Sequence, residues 1–232
     1  MREKSEQAKG PERRVGLTPT KIVAEARELT RGRGFHSWTV RDLAAALDVA
    51  PSVIYHHIGG KQEIIRCVIE GAVAELTPPR TDVCWQEFFR GFLLEIYPIL
   101  REYPGAAKWL MMHGPSFPSV RSFFDVGHTS LTRAGFERPA VVYALLVNSA
   151  VLTVMLSDER LEGGEDGPRD HGAMKRSFES IREGSIGVAT MIDEMLVPFT
   201  ADPDGAGKAL NFEYYSLLIS VMIAGLEQQL QA

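Results

Sequence analysis

From Thr18 onward the apolar residues of this chain recur every three or four positions, the spacing of a helix that turns one face inward. Ile22, Ala26 and Leu29 form the first such stripe. Thr18 can cap it, Pro19 suits its first turn, and Gly32 and Gly34 stop it. Thr39-Val40-Arg41-Asp42 is a capping-box variant, in which a hydroxyl and a carboxylate three residues apart each satisfy a backbone N–H of the other. It opens a short helix with Val40, Leu43, Ala44 and Leu47 on one face. After a turn at Asp48-Val49-Ala50, Pro51 starts a second short helix that runs to His57 and stops at Gly59-Gly60. A fourth helix, over about 61–75, ends before Pro78-Pro79.

Beyond the proline pair the spacing predicts only helices, over about 82–102, 104–113, 118–134, 138–157, 172–197 and 208–230. No run alternates as a strand would, and no internal repeat is visible, so the fold class is all-α. Two stretches read as loops: 158–172, acidic and glycine-rich, and 200–207. Pro139–Ser157 is uncharged for 19 residues, almost enough to cross a bilayer. Asn148, Ser149 and Thr153 interrupt it, however, and its flanks carry no basic cluster. It therefore reads as a helix buried on all faces inside a protein, with no membrane partner.

Composition changes this picture little: 45% hydrophobic and 24% charged residues in 232 exclude a disordered or fibrous chain. Cys67 and Cys84 make no disulfide framework and suit a reducing cytoplasm. No Cys/His spacing suggests a metal, and no cofactor is implied. Charge matters more. A formal net of −5 argues against nucleic acid until it is divided along the chain. Residues 1–62 hold 11 basic and 7 acidic residues, whereas residues 76–232 hold 13 and 20. The basic part contains the two short helices joined by a three-residue turn, the dimensions of a helix-turn-helix whose second helix enters the major groove.

The stretch Gly34–Ile64 (GFHSWTVRDLAAALDVAPSVIYHHIGGKQEI) resembles the tetracycline-repressor (TetR) family of bacterial transcription regulators. Gly34-Phe35, Thr39, Leu43-Ala44, Val49, Tyr55, His57 and Lys61 fall on that family's pattern in order, within a match spanning about 18–64. Ala50 stands where the family has a serine cap, and Ile58 where it has phenylalanine. Residues 1–14, polar and without an apolar run, read as a flexible basic arm, and Pro78-Pro79 as a domain boundary. With these, the resemblance implies a three-helix DNA-binding domain (15–64), a connecting helix (65–79) and a larger helical domain for ligand binding and dimerisation (80–232). It implies a regulator, a repressor in the usual case, that binds a pseudo-palindromic double-stranded DNA operator as a homodimer and answers to a small, largely apolar effector.

Ser52 and Val53 begin the recognition helix, where side chains meet base edges. His56 occupies its variable position, and the resemblance gives Tyr55 and His57 phosphate or supporting roles. Lys61 opens the next helix, where its charge and the helix terminus both favour a phosphate. Thr39 can donate to a phosphate or only cap its helix. Arg41 is either a phosphate contact or a solvated charge, and Tyr55 is either a contact or a packing residue. Within 85–128, and on the long helix that follows, Trp85, Phe88, Phe89, Phe92, Trp109, Met112, His113, Phe124, His128, Tyr143 and Asn148 are candidates to line an apolar pocket. The 138–157 and 208–230 helices are the candidate dimer elements. An enzyme or a pure protein-interaction module are the alternatives. Gly184-Ser185-Ile186-Gly187 is not a nucleophile elbow, and Gly32-Arg33-Gly34 lacks the strand and third glycine of a dinucleotide loop.

Overall fold

The computed structural model describes residues 17–162 and 170–231. The arm at 1–14 and residues 163–169 of the acidic loop lie outside the described residues. Four helices form the head: α1 (Pro19–Thr30), α2 (Val40–Ala46), α3 (Pro51–Ile58) and α4 (Lys61–Val73). Their caps follow the local chemistry. The Thr18 hydroxyl accepts from the Lys21 N–H, and Thr39 and Asp42 close a complete capping box. Asp48, between α2 and α3, adopts a left-handed φ of 52°, which a short polar side chain tolerates. The turn thereby reverses in a few residues, and Ile22, Ala26, Trp38, Leu43, Ala44, Ile54 and Val68 close beneath it as a dry core. The Trp38 indole N–H, buried with them, donates to Thr30 Oγ1 at 2.8 Å.

The body consists of α5 (Trp85–Glu102), α6 (Ala106–His113), α7 (Arg121–Ala134), α8 (Pro139–Glu162), α9 (His171–Glu179), α10 (Ile186–Met191), α11 (Val197–Ala201) and α12 (Lys208–Gln231). Among the described residues there is no strand. α8 is the central post, with α5, α6, α7 and α12 packed around it. Gly127 makes the α7–α8 crossing close, since a Cβ there would lie 2.5 Å from the Tyr143 ring.

Four expectations are corrected. α8 runs one turn past residue 157 into the segment read as loop. The single helix expected over 172–197 is broken at 180–185, where Gly184 turns with φ 75°. The 200–207 stretch is mostly wound into a π-helical turn, Pro203–Gly207, whose Gly207 packs on Phe199. Finally, α8 is not buried on all faces: Val141, Leu145, Leu152 and Leu156 remain about half exposed. Hydropathy reports that a helix is apolar, but not which neighbour covers it. By length and composition alone, 139–158 and 203–231 would both qualify to cross a membrane.

Head and body meet at the corner between α5 and α6. The Gly32 N–H donates to the Glu102 carbonyl at 2.9 Å. The fully buried Tyr103 takes its hydroxyl to Arg27, at 2.9 Å from one guanidinium N–H and 3.1 Å from Nε, and to Arg31 at 3.4 Å. The same corner is fastened to α8: Asp158, 3% exposed, accepts from Arg101 at 2.7 Å and from the Gly105 N–H at 3.2 Å.

Candidate nucleic-acid interface and internal cavity

α3 is held by very little of itself. Ile54 is its one buried residue, so most of the helix surface faces outward. Ser52, Tyr55, His56 and His57 are exposed, and Val53 and Ile58 are half-buried. Tyr55 is 54% exposed, so about half of its surface is open to solvent. The His56 and His57 rings diverge, edge to face, with centroids 5.8 Å apart. Ala50 provides no side-chain cap, and Pro51 at the first turn leaves one fewer N–H to satisfy. Arg41 is exposed on α2, the helix in front.

Thr39 and Lys61 are less free than the sequence suggests. The Thr39 hydroxyl donates to the Asp42 carboxylate at 2.7 Å and accepts from the Asp42 N–H at 3.3 Å. The bonds that the Thr39 hydroxyl and the Thr39 N–H donate to it hold the Asp42 carboxyl below the usual carboxylate range. Lys61 bends back onto Trp38: its ammonium donates to the Trp38 carbonyl and sits 4.7 Å from the centre of the indole ring. Burial there pushes the Lys61 amine down, against a smaller opposing pull from Asp42. A phosphate at the start of α4 would have to draw this cation away from the tryptophan.

The body holds a partly open cavity of about 550 Å³. Five of the expected residues line it: Phe92, Phe124, His128, Tyr143 and Asn148. Six do not. Trp85, Phe88 and Phe89 are core, packed edge-on to Phe136, to each other and to Tyr143. Trp109 stacks between His113 and Phe117. Met112 is 73% exposed, and His113 turns its ring back to the Trp109 carbonyl. Much of the wall is aliphatic and was missed: Val73, Leu76, Ile96, Leu110, Val120, Val147 and Val151, with Asp125. Nothing in the sequence separates these residues from ordinary core, because a cavity forms where helices fail to meet. Burial pushes the Tyr143 phenol up, so the wall carries a neutral hydroxyl there.

Residues 22–68 match the family model for bacterial regulatory proteins of the tetR family. An HTH-type transcriptional regulator of Saccharopolyspora erythraea is 26% identical over 129 residues, 55% of this chain and 55% of that protein. The chain thus spans about half the length of this curated relative. Among solved structures, ActR of Streptomyces coelicolor in complex with actinorhodin superposes with a TM-score of 0.67 at 18% identity, covering 92% of this chain and 96% of that one. A TetR variant of Acinetobacter baumannii AYE in complex with minocycline gives 0.62 at 21%, covering 92% and 98%. These likenesses establish the fold over nearly the whole chain.

Proposed function

We propose that this chain, a helix-turn-helix transcription regulator of the tetR family rather than an enzyme, is a cytoplasmic repressor whose grip on a pseudo-palindromic operator is set by a small, largely apolar ligand. The observation that carries the DNA reading is α3, anchored through Ile54 alone and otherwise facing outward. Ser52, Val53 and His56 read bases, Tyr55, His57, Thr39 and Lys61 meet the backbone, and Arg41 adds a cation on the flank.

One recognition helix reads only a few base pairs, so specificity calls for two heads one helical turn or more apart. The half-exposed leucines and valines of α8 and α12 suit that pairing. Solved relatives of this fold hold actinorhodin and minocycline, and the 550 Å³ cavity supports an organic ligand here. Val73 and Leu76, on its wall, stand at the end of the helix that begins at Lys61 beside the recognition helix. A ligand that favours one spacing of the heads over another shifts operator affinity by that difference and by no more.

The test is selection of bound fragments from the source genome, followed by gel shift with the recovered sequences. A two-fold symmetric motif retained at salt concentrations that release bulk DNA is the expected result. Uniform, sequence-independent retention would overturn the reading in favour of a protein-interaction module.

A further inference from the structure

One hydroxyl sets this cavity apart from a plain apolar void. Tyr143 lines the wall, and only 9% of the residue is exposed. Its ring is clamped: Phe89 stands edge-on to it at 5.4 Å, Phe124 stacks on it at 5.1 Å, and Gly127 lies against it. The ring therefore cannot swing out to water. Yet its hydroxyl forms no hydrogen bond to any of the described residues, and burial alone accounts for its raised pKa. The two fully buried tyrosines behave differently. Tyr103 takes its hydroxyl to Arg27, and the Tyr215 hydroxyl donates to the Leu93 carbonyl at 2.6 Å. Buried hydroxyls find partners as a rule, so the one that faces a cavity points to a partner that enters the cavity.

The rest of the wall narrows the chemistry of that partner. Phe92 and Phe123 meet at 4.9 Å between ring centres, so with Phe124 and Tyr143 the lining offers aromatic faces and edges to another ring. The other polar lining side chains, Asp125, His128 and Asn148, are exposed and can be served by water. Asp125 is the acidic group among them, and the lining holds no lysine or arginine. A neutral phenol is a good donor, so Tyr143 calls for an acceptor oxygen. A carboxylate would accept that bond too, but it would leave water for an apolar wall with no cation and with the Asp125 carboxylate at hand. A neutral carbonyl meets both conditions.

We infer that the cavity selects aromatic compounds bearing a neutral carbonyl, which accepts a hydrogen bond from the Tyr143 hydroxyl, and that it refuses aromatic carboxylates. The inference rests on the reading of this cavity as the effector site. Tyr143 is then its specificity-determining residue. A hydrocarbon of the same shape leaves the hydroxyl buried and unpaired, whereas the ketone satisfies it without moving the clamped ring.

N-phenyl-1-naphthylamine, a neutral apolar fluorophore smaller than the cavity and free of oxygen, is a suitable probe. It is displaced in turn by 1-acetonaphthone, 1-ethylnaphthalene and 1-naphthoate, which share one ring system and differ at one substituent. At neutral pH we expect 1-naphthoate to bind the wild type more weakly than the ketone by about tenfold or more. In Tyr143→Phe, which keeps the ring, the ratio of ketone to hydrocarbon affinity should fall by about tenfold, with probe affinity unchanged. The variant should also melt no lower than the wild type, because its hydroxyl has no partner in the protein to lose. An unchanged ratio overturns the inference, as does a lower melting midpoint or a carboxylate that binds as tightly as the ketone. Val147→Trp, which fills the cavity, separates the two readings. If the probe binds it normally, the cavity reading has failed and this inference with it. If Val147→Trp abolishes probe binding while Tyr143→Phe keeps the wild-type ratio, this inference alone has failed. Should Val147→Trp lose its helicity, Ala144→Phe fills the open side of the cavity in its place.

Discussion

At Thr39 one hydroxyl is already spent on Asp42, so its first duty is to hold α2 in place. Thr39→Ala is expected to lower stability by about 1 kcal/mol, the usual worth of such a cap, and Thr39→Ser to restore most of it. The pH dependence follows from Asp42. Its carboxyl lies lower in the folded chain than in the unfolded one, so its contribution is present above the unfolded value of about 3.9 and is lost as pH falls through the folded one. The gap between wild type and Thr39→Ala in urea melts should therefore be wider at pH 7 than at pH 3. Lys61 makes a different case, because its charge is held by Trp38 in the free chain. If it moves to a phosphate on binding, Lys61→Ala weakens binding to every DNA sequence alike and lowers the slope of log affinity against log salt by about one. An unchanged slope would mean that the lysine stays on the tryptophan and acts only by fixing the start of α4.

Elements depend on how closely their neighbours approach. Gly127 lets α7 lie against Tyr143 and Phe88, and an alanine Cβ would fall 2.5–2.9 Å from those rings. Gly127→Ala is expected to cost about 1–3 kcal/mol in denaturant melts and, by displacing Tyr143, to change probe affinity at the cavity as well. This close approach was not legible in the sequence, where Gly127 is one small residue in a helical run. The head was far more legible. Thr39-x-x-Asp42, the Asp48 turn, Pro51 and Gly59-Gly60 are local signals, each acting within a turn or two, and α1 to α4 begin and end close to where they indicate. The body depends on long-range packing instead. Periodicity located α5 to α8, but it could not say that Phe88 and Phe89 would be core while Phe92, one turn on, reached a void. Nor could it show that Val141, Leu145, Leu152 and Leu156 of α8 would stay about half exposed, since which face a neighbour covers is set by long-range packing.

Across the whole molecule, two routes join the cavity to the head. One is α4, with Val73 at the cavity end and Lys61 at the DNA end. The other is the corner after α5. Leu110 and Met111 of α6 line the cavity, and α6 starts from Gly105, whose Cβ would stand 3.4 Å from Phe35 of the head. Beside it, Tyr103 gathers Arg27 and Arg31 from the end of α1. Under the proposed function, a ligand that shifts α6 would act through this corner on α1, which packs against the recognition motif. Tyr103→Phe keeps the ring and removes only the hydroxyl, while Arg27 retains Glu75 as a partner. The expected cost is about 1–3 kcal/mol of stability, from cations left short of an acceptor. Operator affinity without ligand should stay near wild type, because no DNA-facing group changes. The drop in affinity caused by a cavity ligand should shrink several-fold, since the coupling needs an element that both sites bias. Fluorescence anisotropy with a labelled operator, with and without saturating N-phenyl-1-naphthylamine, measures both quantities on one sample. A variant that is equally stable in the assay yet keeps the full ligand response would assign the coupling to α4 alone. Ala substitutions at Val73 and Leu76 would then be expected to remove the response that Tyr103→Phe left intact.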